Sequence, residues 1–177
     1  SSGSCFLSTR IAVGALNMTV NCRSNDMLLG AYGANAVHMS VLQEYVAAKL
    51  GLPVGQYVQF SDSFHVYTEG PGAEVWERIK QNLPQAEFMS DPYANDDIYP
   101  RVMGCNLPQW DDDLATFFEA WDSGAGIDAG LFRTAWWREV ASPMWQAYKL
   151  RSLPFARAIE ARDWRKACVE WLERRAK

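Results

Sequence analysis

Histidine and cysteine are scarce in this chain, with two and four copies among 177 residues. Cys5, Cys22, Cys105 and Cys168 are widely spaced and form no C-x-x-C pair, so neither a zinc site nor a disulfide framework is expected. Unpaired thiols fit a reducing cytoplasm. No apolar run approaches the roughly 20 residues needed to cross a bilayer, and the N-terminus has neither a basic lead nor a hydrophobic signal core, so no membrane association is expected. An excess of positive charge is also missing. The 17 basic residues are outnumbered by 21 acidic ones, for a net charge of −4, which leaves no broad field to hold long nucleic acid. A single nucleotide needs only one local cationic pocket. There is no internal repeat and no low-complexity tract, and Ser1-Ser2-Gly3 carries no functional weight.

What is present fits one domain, and a chain of this length buries roughly 70% of the surface its unfolded form exposes. Leu7, Thr9, Ile11 and Val13 alternate along one segment, and Leu16, Met18, Val20 and Cys22 along the next. That period of two predicts two strands joined at Gly14-Ala15. The second runs straight into Arg23-Ser24, placing those side chains at a strand end. From Asn35 to Leu50 the apolar residues Val37, Met39, Val41, Leu42, Tyr45, Val46 and Leu50 recur at a helical period, with Asn35 as the expected N-cap, Gly51 as the stop and Pro53 as a breaker. Alanines 34, 36, 47 and 48 allow close packing, as in a central helix. Residues 57–60 and 64–67 read as strand segments around Ser61-Asp62-Ser63.

Beyond residue 70 the texture changes, and all eight tryptophans lie there. Helices are expected over 74–83, 112–121, 133–150 and 164–175. Leu114, Phe117, Phe118 and Trp121 mark one apolar face, and Trp164, Cys168, Trp171 and Leu172 another. Pro143 must start a helix or kink one. The stretch 89–110, with Pro92, Pro100, Pro108 and clustered aspartates, is expected to be irregular.

Arg23-Ser24, Asp26, Gly30, Asn35, Gly55 and then His65-Val66-Tyr67 occur in the order, and nearly at the spacing, of the nucleotide-binding half of thymidylate synthases and their hydroxymethylase relatives. The chain resembles that family, with one residue inserted between Gly30 and Asn35. Its helical C-terminal part looks like the tail of viral thymidylate-synthase-like proteins. The resemblance implies an α/β fold: a mixed, mostly antiparallel sheet carrying a central helix, with residues 1–70 as the nucleotide-binding core and 71–177 as a helical region packed on it.

It also implies a chemistry. Uracil C5 becomes nucleophilic enough to attack the one-carbon donor 5,10-methylenetetrahydrofolate only after a cysteine thiolate adds to C6. By resemblance Arg23 and Ser24 hold the phosphate of deoxyuridine monophosphate, a guanidinium offering a bidentate fork and a hydroxyl one more donor. Standing alone, the pair would read as a surface arginine with a capping serine. Asn35 reads the base, since an amide donates to uracil O4 while accepting from N3–H; as a plain residue it is a helix cap. His65 and Tyr67, two apart on one strand, hold the sugar hydroxyl, although a histidine beside an apolar strand is more often a satisfied core residue. Asp26 and Gly30 fall near the folate pterin ring, where their bland reading is a turn.

Two departures matter. In the family the nucleophile lies about twenty residues before the Arg-Ser pair, in a Pro-Cys turn. Here that position is Gly3, and Cys5 comes two residues later. A short strand deletion or bulge brings Cys5 into place as the catalytic residue; otherwise it is a small buried hydrophobe. Cys22 beside Arg23 reads as a strand residue. The family's upstream half, with its phosphate-loop arginine, folate contacts and paired arginines that cross a homodimer interface, has no counterpart in the chain. The expected function is one-carbon transfer to C5 of dUMP, giving either a methyl or a hydroxymethyl product. The alternative is a non-catalytic nucleotide-binding or interaction protein of the same descent.

Overall fold

The computed structural model describes residues 5–82, 107–124 and 126–176, with Cys5, Phe6, Pro71 and Asn82 described by backbone only. The chain forms two compact units, Ser1–Met89 and Ser90–Lys177.

In the first unit, β1 (Cys5–Ala12) and β2 (Ala15–Asp26) pair antiparallel, and β2 pairs parallel with β3 (Val54–His65), giving the order β1-β2-β3. The hairpin turns at Val13 and Gly14, both with positive φ. Alternation in β2 holds as expected: Leu16, Met18, Val20 and Cys22 are all buried, each contributing roughly 1.5–3 kcal/mol. Helix α1 (Asn35–Lys49) crosses from β2 to β3, and its Met39 packs with Tyr57 on Met18, Val20 and Cys22. The alternating residues of β1 gain no such cover, so Leu7 and Ile11 stay exposed, as does Val13 in the turn.

Several expectations change here. The sheet holds one antiparallel and one parallel pairing, because the second connection is a helical crossover and not a hairpin. β3 runs unbroken through Ser61-Asp62-Ser63, since pairing with β2 continues at Cys22↔Ser61 and Ser24↔Ser63. The helix starts before Asn35. Asp26 caps it by accepting from the Leu29 N–H at 2.5 Å, and a π-helical lead, Met27–Ala34, kinked at Gly33, runs directly into α1. Asn35 therefore makes no cap. Nor does α1 face the sheet with its most apolar side: Gln43 and Ala47 are its buried residues, while Val37 and Leu42 are exposed. The reason is polar. The Gln43 Nε2 donates to the carbonyls of Leu16 (2.8 Å), Gln56 (3.1 Å) and Gly55 (3.3 Å), where Asn17 also accepts from the Gln56 N–H at 2.7 Å. The strands approach so closely there that a Cβ on Gly55 would run into Asn17 and the Leu16 carbonyl. Helix α2 (Ala73–Asn82) follows a 3₁₀ turn, Gly70–Gly72; the expected last residue of that helix, Leu83, lies outside the described residues.

The second unit is helical. Helix α3 (Leu107–Ser123) begins five residues before the expected 112, with Pro108 at its second position, where a missing N–H costs nothing. Residues 89–106, expected to be irregular, lie outside the described residues. The buried line of α3 is Trp110, Asp113 and Ala120, while Phe118 and Trp121 are half exposed. Asp113 accepts from the Arg133 N–H (2.9 Å), the Thr134 N–H (2.7 Å) and the Thr134 hydroxyl (2.7 Å), tying α3 to the start of the next helix. That helix passes through a π turn, Trp137–Ala141, into α4 (Ser142–Leu150), with Pro143 in the first turn of α4. The carbonyl four residues before Pro143, that of Glu139, accepts from the Glu160 N–H at 3.0 Å, so the first turn of α4 tolerates the proline's missing N–H.

A short α5 (Leu153–Arg157), absent from the sequence expectation, precedes α6 (Arg162–Arg175). The expected face of α6 is borne out. Trp164 and Cys168 pack on Val140, Ile159 and Ala161, while Leu172 joins Ala147 and Ala156. Burial pushes the Cys168 thiol up from its ordinary range, as suits an inert core residue. Trp137 sits among Trp110, Phe117 and Phe132 at centroid distances of 5.2–5.6 Å. The indole N–H groups of Trp136 and Trp137 are buried without a partner among the described residues, a cost the ring packing must exceed.

Candidate nucleotide site

The carboxyl ends of parallel strands joined by a helical crossover form a natural ligand site, and most of the sequence-predicted site residues lie at such an edge. Arg23, Ser24 and Asp26 end β2, His65 ends β3, and Asp26 stands opposite His65 in the register. Cys5 starts β1 opposite Cys22, one residue from Arg23. Its side chain lies outside the described residues.

Arg23 is exposed and has no hydrogen bond or ion pair among the described residues, so none of the described carboxylates consumes its donors. Ser24 is exposed beside it. The His65 Nδ1 lies 3.2 Å from the Ser63 carbonyl oxygen, and its ring meets that of Tyr67 edge-on at 5.0 Å. The pair is thus brought together, but by ring contact past the strand end, because β3 stops at His65.

Asn35 is held differently from expectation. Its Nδ2 donates to the Asn25 Oδ1 at 2.9 Å, and the Asn25 Nδ2 donates to the Ser61 Oγ at 3.0 Å. Asn25 is 1% exposed. Its burial follows a switch along β2, from even-numbered positions up to Cys22 to the odd-numbered 25, which simple alternation does not predict. Gly30 serves this pair: a Cβ there would strike the Asn25 Oδ1 and approach the Asn35 Nδ2 to 3.1 Å. In the π-helical lead the Asn35 N–H bonds to the Gly30 carbonyl, five residues back, one more than in an α turn.

Asp26 spends one oxygen on the Leu29 N–H, and the other has no partner among the described residues. A neighbouring cavity of about 470 Å³ is lined by Tyr32, Tyr57, Gln59, Phe60, Ser61 and Phe64, with Ala31. Of the polar chain it includes only Ser61. Among the described residues no cluster of three or more His, Cys, Asp or Glu could hold a metal, and no helix is long and apolar enough to cross a membrane.

A family model described as thymidylate synthase matches residues 3–98, more than half of the chain. The chain belongs to the thymidylate synthase family. It is 38% identical over 180 aligned residues to the deoxyuridylate hydroxymethyltransferase of Pseudomonas phage M6, covering 92% of this chain and 48% of that protein. It is also 41% identical to the deoxyuridylate hydroxymethyltransferase of Bacillus phage SP01, over 43% of this chain and 20% of that protein. A putative thymidylate synthase of Methanocaldococcus jannaschii is 43% identical over 41% of this chain and 30% of that protein. The chain thus spans about half the length of the phage M6 relative and less of the other two. A match covering 92% of the chain takes in most of the helical second unit, which the family model, ending at residue 98, does not reach. No solved structure matches the chain at a significant level.

Proposed function

We propose that the chain carries the nucleotide-binding core, residues 1–70, of an enzyme that transfers a one-carbon unit to C5 of deoxyuridine monophosphate. The observation that carries this reading is the collection of Arg23, Ser24, Asn35 and His65 around the ends of β2 and β3, with the Arg23 guanidinium unspent among the described residues. Arg23 and Ser24 bind the phosphate, and His65 with Tyr67 holds the sugar hydroxyl. Asn35 keeps one N–H and its Oδ1 for uracil O4 and N3–H. Cys5 adds as thiolate to C6, so that C5 gains the electron density it needs for attack.

5,10-Methylenetetrahydrofolate, when bound, supplies the one-carbon unit, and Asp26 holds it through its second carboxylate oxygen. Gly30 belongs with the Asn25–Asn35 pair rather than with the pterin ring. The phage M6 protein, whose match extends over most of both units, favours a hydroxymethyl product. A homodimer fits the exposed Val58 and Phe60 on the sheet face away from α1, and the names of the phage relatives support a place in nucleotide metabolism, which we set in the cytoplasm. The test is calorimetric titration: dUMP should bind at least about tenfold more tightly than dCMP, about 1.4 kcal/mol. Equal affinities would remove the base-reading role of Asn35.

A further inference from the structure

Asn35 cannot discriminate between uracil and cytosine by its amide alone. The same group, turned over, presents a donor where it had presented an acceptor, and the two pyrimidines differ by just that exchange at N3 and the C4 substituent. Something must hold the amide one way round. In this structure the Asn35 Nδ2 is tied to the Asn25 Oδ1 (2.9 Å), and Asn25 is buried and tied in turn to the Ser61 Oγ (3.0 Å). The other N–H and the Oδ1 of Asn35 remain for the base, and that combination is complementary to uracil.

Turning Asn35 alone would set two carbonyl oxygens against each other. Only a concerted reversal escapes this, with Asn25 turning too and the Ser61 hydroxyl changing from acceptor to donor. The backbone guards the arrangement, since any side chain at position 30 would collide with the Asn25 Oδ1.

We propose that Asn25 is a specificity-determining positioning residue: it fixes the direction of the Asn35 amide, and through it the preference for a uracil nucleotide. This rests on the reading of Asn35 given above. Asn25 touches no substrate in this scheme, so its effect should appear in the ratio of two affinities rather than in binding as such.

The experiment uses the whole chain and titrates dUMP and dCMP into wild type, Asn25→Asp, Asn25→Leu and Gly30→Ala, at about pH 8, well above the ordinary carboxylate range. A carboxylate at position 25 accepts from both Asn35 and Ser61 and forbids the concerted reversal. Asn25→Asp should therefore keep the wild-type preference of about tenfold or raise it. Asn25→Leu removes the partner and Gly30→Ala displaces it, so both should bring the dUMP-to-dCMP ratio to within about threefold. Melting curves separate loss of fold from loss of discrimination. If Asn25→Leu does not fold, the other two variants decide.

Full discrimination in a folded Asn25→Leu or Gly30→Ala protein overturns the proposal, as does an Asn25→Asp protein that prefers dCMP. A wild-type protein indifferent to the base removes the reading of Asn35 itself, and the positioning role falls with it. A discriminating wild type with equally discriminating variants removes only the role of Asn25.

Discussion

The two units bury different things. In the first, the sheet and α1 are joined by amides: Gln43 spans three strand carbonyls, and Asn25 links Asn35 to Ser61. Around them Arg23 and Ser24 are left exposed. In the second, helices close around indoles and small residues such as Ala147, Ala156 and Ala161, and the carboxylate buried among its described residues, Asp113, spends both oxygens on the protein. Unspent polar groups mark where a ligand is to be held, and spent ones mark scaffold. The relatives divide along the same line, because the family model covers the first unit while the phage M6 protein also matches most of the second.

The largest expected effect lies in the first unit and is all-or-none. Intact-mass spectrometry of the chain with 5-fluoro-dUMP and methylenetetrahydrofolate should show a covalent adduct mapping to Cys5, because fluorine at C5 cannot leave as a proton. Cys5→Ser should abolish the adduct and leave dUMP binding intact. An adduct on Cys22 would instead shift the assignment to the neighbouring strand. Next comes a break in the second unit. Asp113→Ala strands two backbone N–H groups and should cost about 3 kcal/mol in thermal or denaturant unfolding, with nucleotide affinity unchanged. A matching loss of dUMP binding would erase the division between scaffold and site.

Arg23→Ala should weaken dUMP binding by about 2 kcal/mol and leave deoxyuridine binding and the melting temperature untouched. A fall in melting temperature would make Arg23 scaffold after all. The smallest effect sharpens the second unit. Arg175 lies over the Trp171 ring at 4.2 Å, and Arg175→Ala should cost only about 0.5 kcal/mol of stability, since an exposed cation–π contact is weak.

Much of this was legible beforehand where a single periodicity governed. β2 buries the four residues its alternation named, and α6 packs the face its spacing named, with Leu172 buried and Trp164, Cys168 and Trp171 partly so. It was not legible where a polar side chain outcompeted an apolar one for the interior. Gln43 faces the sheet between Met39 and Ala47, and its position on that i, i+4, i+8 line was the available signal. Asn25 gave no such signal, because its burial depends on a parity switch in β2. Asn35 was placed wrongly as a cap, since Asp26 had already capped a helix that enters through a π turn.

By itself, then, the sequence determined which side chains were available: an Arg-Ser pair, the Asn35 amide, a His-Tyr pair and the family to which they belong. These depend on residue type and order, which the chain carries locally. The tertiary structure decided which way they are held. Whether strands run parallel or antiparallel, which helix face meets the sheet and which hydrogen-bond partner an amide finds all depend on contacts between residues far apart in the chain. The Asn25–Ser61 bond, across 36 positions, is one such contact, and no local pattern encodes it.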